Sequence, residues 1–334
     1  MIINKESQKK SEIRIAKPAG TNPFWIIVSK EISDSVKSWR FIIMISLLAL
    51  TCMGSLYTAL DNFSAAVNAS EPDGSFFFLK LFTISDGSLP SFVVFVSFLG
   101  PLLGISMGFD SINSELNRGT LSRILSQPIY RDYVLNAKFV AALIVLSVLF
   151  FALGFLVLGF GLIFIGIPPT AEEFLRILAF SLVNIVYVAF WLNLSILFSV
   201  KFRQAATSAL AGISIWLFFS IFYNMIVNLV AKAMAPSQFL TENQVISFER
   251  FIQNLMRFNP GQLFSDATTT LLMPAVRSLG PLTMEQMQGA IPSPLPLGQS
   301  LMLVWPQATA LLAGTVVFFA LAYSLFMKME IRSR

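Results

Sequence analysis

The residues best suited to chemistry in this chain lie in one stretch, Phe109 to Arg131, which reads FDSINSELNRGTLSRILSQPIYR. Ile112, Leu116 and Ile124 recur at multiples of four and so share a helical face, with Asp110, Glu115, Arg118, Arg123 and Arg131 spread around it. Gly119 and Thr120 interrupt that face, and Pro128 follows it. The pattern predicts two short helical pieces joined by a bend, a charged amphipathic element fit to dock on another surface. It is not a catalytic constellation. Histidine is absent from the whole chain, which removes His-dependent triads, HExxH zinc chemistry and His proton relays together. The single cysteine, Cys52, sits in an apolar run and permits no intramolecular disulfide. No GxxxxGK[ST] phosphate loop occurs, and no GxSxG or GxGD element.

The elements that must position this stretch follow from composition. Of 334 residues, 55% are hydrophobic and only 12% charged, about half the share of roughly 25% usual in a soluble domain. A bilayer core of about 30 Å needs about 20 apolar residues in a helix. Six uncharged runs meet that length, at about 41–60, 89–109, 139–167, 177–200, 205–231 and 301–327. The sequence therefore predicts an all-α integral membrane protein with six transmembrane helices. None of the six runs contains Asp, Glu, Lys or Arg, which argues against an ion-coupled carrier and places the energy source elsewhere.

The net charge of +5 is clustered between the runs. One set of connections, with both ends of the chain, holds 17 Lys and Arg; the other set holds 6. The rich set includes the segment before the first run, the 109–138 connection, Lys201 with Arg203, and the tail. By the positive-inside rule both termini are expected in the cytoplasm, and six spans agree in parity. The basic excess thus reports orientation, and nucleic acid is not an expected partner.

Residues 1–21 read as a flexible cytoplasmic tail. Residues 22–40 read as an amphipathic helix in the membrane interface, since Trp25, Val28, Ile32, Val36 and Trp39 recur at helical spacing. The large connection 236–300 is the one sizeable external element. It predicts a helix from Glu242 to Arg257 and a second after Asn259 and Pro260, forming a small cap or a re-entrant hairpin. Span two carries Gly100, Gly104 and Gly108 on one face, which permits close helix approach within the chain or, less favoured, between subunits. Span five carries Ser220, Asn224 and Asn228 with Tyr223 beside them; span four carries Asn184, Tyr187 and Trp191. Such polar groups in hydrocarbon either bond across helices or line a path, and bonding is the favoured reading.

The 109–138 block resembles the ABC-2 permease family, in which an acidic residue, Arg-Gly-Thr, Leu, a Pro and a following Arg run from the second span into the third. The matching residues are Glu115, Arg118, Gly119, Thr120, Leu121, Leu125, Pro128, Arg131 and Lys138. Lys30-Glu31 before the first span, Asn259-Pro260 ahead of the sixth, and the Phe326–Arg332 exit with Glu330 are similar as well. In detail the chain resembles the subgroup of nitrous-oxide-maturation and gliding-motility permeases. The resemblance implies a prokaryotic inner-membrane subunit of an exporter, with 41–334 as the permease domain and a coupling helix between spans two and three. It implies that ATP and Mg are bound by separate ABC ATPase subunits and that this chain binds no cofactor or metal. It also implies pairing with a second copy or a homologous permease, with spans one, two and five or the interfacial helix as candidate seams. The 236–300 loop offers a place for an external or accessory protein. Competing readings are a secondary transporter, an intramembrane enzyme, and a non-transporting anchor or mechanotransducing subunit of an ABC complex. Charge-free spans and the lack of a repeat disfavour the first, and the lack of a nucleophile–base pair disfavours the second.

Overall fold

The computed structural model describes residues 22–61, 76–85, 89–127, 129–235, 242–279 and 294–329. The tail 1–21, most of the first external loop, Pro128, the Pro292 region and Glu330–Arg334 lie outside them. Among the described residues every regular element is helical. In chain order these are α1 (Pro23–Val36), α2 (Trp39–Asp61), α3 (Phe77–Thr83), α4 (Phe92–Gly108), α5 (Asn113–Asn117), α6 (Thr120–Leu125), α7 (Arg131–Ile165) and α8 (Ala171–Lys201). There follow α9 (Ala205–Leu217), a π-helical turn (Phe218–Phe222), α10 (Tyr223–Ala233), α11 (Glu242–Met256), α12 (Pro260–Leu272) and α13 (Leu297–Lys328).

Six helices are long and apolar enough to cross a membrane: Trp39–Asp61, Phe92–Asn117, Arg131–Ile165, Ala171–Lys201, Ala205–Ala233 and Leu297–Lys328. The helices outrun the apolar segments because hydropathy marks the hydrocarbon, whereas a helix continues to its caps. Span four begins at Ala171 because Thr170 and Glu173 form a reciprocal capping box. The first expected boundary needs correction. The interfacial helix stops at Val36, and Ser38 Oγ accepts from the Phe41 amide at 3.3 Å, so Trp39 opens the first span instead of closing α1.

The fourth span, α8, is the hub: α4, α7, α9, α12 and α13 all pack on it. The glycine face of α4 belongs to this contact. A Cβ on Gly104 would stand 2.7 Å from the Val188 carbonyl oxygen, and one on Gly108 would stand 2.8 Å from that of Leu192. Gly100 would meet Val188 Cγ2 at 2.9 Å. Ser195 Oγ donates to the Ile105 carbonyl across the same seam, at 3.0 Å. The glycine stripe is consumed inside the chain, so it is not open to form a subunit seam.

The helices expected in the 236–300 connection form a hairpin that is re-entrant in the sense that its turn packs back into the helix bundle. Phe264 of α12 stacks on Tyr187 of α8, with centroids 4.4 Å apart, and a Cβ on Gly261 would lie 3.7 Å from the Tyr187 hydroxyl. Tyr187 lies 16 residues from the Ala171 end of α8, about 24 Å at 1.5 Å per residue, near the middle of the helix. From there α12 rises until the Leu271 carbonyl accepts from Arg176 Nη1 at 3.0 Å. Asn259 fixes the deep turn. Its Oδ1 accepts from the Gly261 amide at 2.9 Å, and its Nδ2 donates to Phe219 O in the π turn at 2.9 Å and to Asn224 Oδ1 at 3.3 Å. The π turn breaks the regular ladder of span five, and Asn259 occupies one of its carbonyls.

The six apolar runs are charge-free, yet the packed bundle around them is not. Arg176 of α8 is fully buried and donates to the Leu271 and Leu295 carbonyls, Ser300 Oγ and Glu172. Arg257 and Asp266 pair at 3.2 Å within the re-entrant hairpin. None of these three ions, Arg176, Arg257 and Asp266, belongs to a long apolar run; packing carries them between the helices.

Candidate functional site: the charged junction beneath spans two and three

At the face where α1 begins and α13 ends, three distant segments meet on one ammonium. Lys138 Nζ, near the start of the third span, lies 2.9 Å from Glu31 Oε2 of α1 and 2.8 Å from Glu115 Oε1 of α5. The Lys138 side chain is 6% exposed, which makes removal of the charge costly for both carboxylates. Lys30 adds a contact to Glu31 at 3.0 Å and one to Glu115 at 3.8 Å. The seam that brings α1 here is apolar, with Val28 packed on Ala137 and Ala141. Burial works against ionisation of Glu31, yet the Lys138 ammonium with its hydrogen bond, reinforced by Lys30, holds the carboxyl below its ordinary value. Burial likewise opposes the charge on Lys30, but Glu31, Glu115 and Asp34 outweigh it and raise that group. A depressed carboxylate stabilises at pH above its free value and releases as pH falls through the lowered one. Docking of α1 is thus expected to hold at pH 4.5, the ordinary value for Glu31, and to loosen only below it. Hydrogen exchange of the α1 amides against pH checks this; a midpoint at or above 4.5 would contradict it.

The loop between spans two and three has the geometry of a bent lever. Helices α5 and α6 meet at Gly119, whose φ of +69° is a left-handed conformation costly to other residues. Thr120 Oγ1 donates back to the Glu115 carbonyl at 3.2 Å, and Leu121 is buried. Ser199 Oγ of α8 accepts from the Ile112 and Asn113 amides at 2.9 and 3.2 Å. Asn117 Nδ2 donates to the Arg203 carbonyl at 2.8 Å, tying the lever to the connection that holds Lys201 and Arg203. Asp110 pairs with Arg40 at 2.7 Å, and the Arg40 guanidinium lies over the Phe109 ring at 5.0 Å. Arg131 donates to the Phe326 and Met329 carbonyls at the end of α13 and covers the Phe326 ring. Between α1 and the lever opens a cavity of about 670 Å³, lined in part by Arg118 and Arg123. Both are exposed and have no ion-pair partner among the described residues. Pro128 lies outside those residues.

Asp110, Glu115, Arg118, Thr120 and Arg123 therefore line one cavity with Lys138, Arg203 is reached through Asn117, and Arg131 lies instead against the end of α13. Sequence reasoning did not find Arg40, Ser199 or the convergence of Glu31 and Glu115 on Lys138, since the partners are 107 and 23 residues away from that lysine. The polar residues of the spans divide differently. Asn224 bonds Asn259, Tyr223 donates to the Leu255 carbonyl at 2.6 Å, and Tyr187 donates to the Ser97 carbonyl at 3.1 Å. Asn184 is buried with Oδ1 unpartnered, whereas Ser220 and Asn228 face outward from the chain.

Comparison with known proteins agrees with this architecture. The chain is 26% identical over 208 residues to a probable ABC transporter permease protein NosY of Pseudomonas aeruginosa, covering 60% of this chain and 68% of the relative. It is 25% identical over 217 residues to the protein of the same description from Stutzerimonas stutzeri, covering 62% and 70%. The ABC-2 family transporter protein model matches residues 25–331. Six apolar helices and a match over nearly the whole length place this chain in the ABC-2 family of transporter proteins, as a multi-pass membrane permease.

Proposed function

We propose that this chain is the transmembrane subunit of an ATP-driven exporter in a prokaryotic inner membrane, with both termini cytoplasmic and ATP and Mg bound by a separate ABC ATPase. The observation that carries the reading is the buried Glu31–Lys138–Glu115 cluster. Through it, a push on the α5–α6 lever reaches the third span and the interfacial helix at once, while Ser199 and Asn117 pass it to the fourth. A rigid element with two arrangements is what coupling requires. Arg118 and Arg123, exposed at the mouth of the cavity, are the residues offered to the ATPase. Because ATP is sandwiched between two nucleotide-binding domains in this family, two docking points are needed, which a second copy or a homologous permease supplies. Span two's glycines are already used, so the seam falls to spans one and five or to α1.

Purification from the native membrane is expected to bring down an ATP-hydrolysing subunit. Arg118→Glu is expected to weaken that association and lower ATPase stimulation about tenfold, while leaving the six-span fold intact, since an exposed charge outside any pair contributes little to stability. Copurification of a non-nucleotide-binding protein in place of an ATPase would support an anchor. Unchanged stimulation in Arg118→Glu would remove the lever from the docking site.

A further inference from the structure

The re-entrant hairpin places cations where no apolar run could carry them. Arg257, two residues before Asn259, stands at the deep turn, near the level of Tyr187 and well inside the span of α8. Its Nε donates to Asp266 Oδ2 at 3.2 Å, and Gln262 Nε2 occupies Asp266 Oδ1 at 2.7 Å. Both oxygens of that 7%-exposed carboxylate are engaged, so the carboxylate fixes the guanidinium plane. The two terminal nitrogens of Arg257 have no partner among the described residues, and its side chain is 31% exposed. Arg250, seven residues earlier on α11, falls on the same side of that helix at its 3.6-residue period and is exposed without an ion-pair partner among the described residues. Phe258 beside Arg257 is 74% exposed.

A half-open guanidinium at this depth is poorly placed against hydrocarbon, where an exposed arginine is costly and where ionisable groups face a bundle interior or a water-filled cavity instead. A hydrated cleft is the surrounding that such a group requires. The outward polar residues of span five, Ser220 and Asn228, lie in the same outer half of the helix and suit such a wall. A planar guanidinium with a free fork is the geometry that binds carboxylate, sulfonate or phosphate oxygens in pairs. Arg250 lies about two turns outward of Arg257 along α11 and would draw an anion along the cleft.

We propose that Arg257 is an anion-binding residue in the outer half of the translocation cleft, approached past Arg250. The aromatic face of Phe258 suits it to an amphiphile with one negatively charged head. The assignment of cargo rests on the exporter reading above; the anion site itself does not.

The test uses the whole complex in lipid nanodiscs, with Cys52→Ala and Asn254→Cys. Asn254 is an exposed residue one turn from Arg257. The thiol is treated with the anionic reagent 2-sulfonatoethyl methanethiosulfonate and with its cationic trimethylammonioethyl counterpart, each rate normalised to a small free thiol. The anionic reagent is expected to react about tenfold faster than the cationic one, as a cationic cleft concentrates anions. Methanesulfonate is expected to slow the reaction. Arg257→Gln should bring the ratio close to one and abolish the protection, and Arg257→Lys should retain most of the preference. The double variant Arg257→Gln/Asp266→Asn, which leaves no unpaired ion, covers the case in which the single variant does not fold. An unreactive thiol, a parent ratio near one, or a ratio that survives Arg257→Gln in both backgrounds overturns the site. If the ratio behaves as expected but no ATPase accompanies the chain, the exporter reading falls and the anion site stands.

Discussion

Leucine at position 104 is expected to collapse the association of spans two and four. The first new atom, Cβ, would stand 2.7 Å from the Val188 carbonyl oxygen and 3.1 Å from the Leu192 amide nitrogen. Both are backbone atoms of the hub helix, which cannot swing aside as a side-chain tip can. Overpacking of a close-packed core typically costs about 1–3 kcal/mol. Here three further heavy atoms, Cγ and the two Cδ, must also be accommodated against rigid backbone, so at least the upper end applies, roughly a 10 °C fall in apparent unfolding temperature. Gly159 of span three is the control, since nothing lies within 4 Å of its would-be Cβ. Gly159→Leu should unfold within a degree or two of the parent in a thermal size-exclusion series. If Gly104→Leu were as stable as Gly159→Leu, the assignment of the glycine face to α8 would be wrong.

Methionine in place of Lys138 is expected to have the second large effect, on stability and on coupling together. The substitution keeps length and apolar stem but leaves Glu31 and Glu115, 15% and 13% exposed, facing each other without their shared cation. Breaking one partner of a buried ionic cluster costs about 3–5 kcal/mol, and Lys30, itself half exposed, recovers only part of that. The α1–α5 junction should open, visible as faster hydrogen exchange in both helices and as ATPase activity that no longer responds to the permease. The triple variant Glu31→Gln/Glu115→Gln/Lys138→Met separates the two consequences. With no uncompensated ion left, it should recover most of the folding stability, yet the ionic tie that transmits movement is gone and coupling should stay low. Wild-type coupling in the triple variant would mean that apolar packing of α1, through Val28 against Ala137 and Ala141, suffices to transmit the lever's motion.

The two substitutions probe different links of one chain. Gly104 lies where spans two and four touch, within the bilayer; Lys138 lies where the lever, α1 and span three meet. Under the proposed coupling, movement of the lever reaches α8 directly at Ser199 and also along span two through the glycine seam, and α8 in turn contacts the hairpin at Tyr187 and Phe264. From there Asn259 joins the hairpin to the π turn of span five. A helix with a π turn has an alternative regular ladder one residue away, which makes that joint the natural place for span five to bend.

By itself the sequence determined the solvent of this protein, the number of its spans and the segment that carries its charge. Those are properties of contiguous residues: about 20 apolar positions in a row, a bend at Gly119-Thr120, and a basic excess counted over short connections. It also made the Gly100–Gly104–Gly108 face legible as a close contact, because three glycines at four-residue spacing clear one strip of a helix wherever that helix lies. Only the tertiary structure decided what fills that strip, since Val188 and Leu192 are two of many apolar residues and carry no mark of the pairing. The same holds for Lys138, whose carboxylate partners Glu31 and Glu115 are 107 and 23 residues away in sequence. Arg176, Arg257 and Asp266 show the limit most sharply. Hydropathy assigns a charge to water whenever its own segment is polar, but a re-entrant hairpin is polar in sequence and deep in space. Its burial comes from helices adjacent only after folding, such as α8, where Arg176 meets the Leu271 carbonyl 95 residues away, and no local period of 3.6 records them.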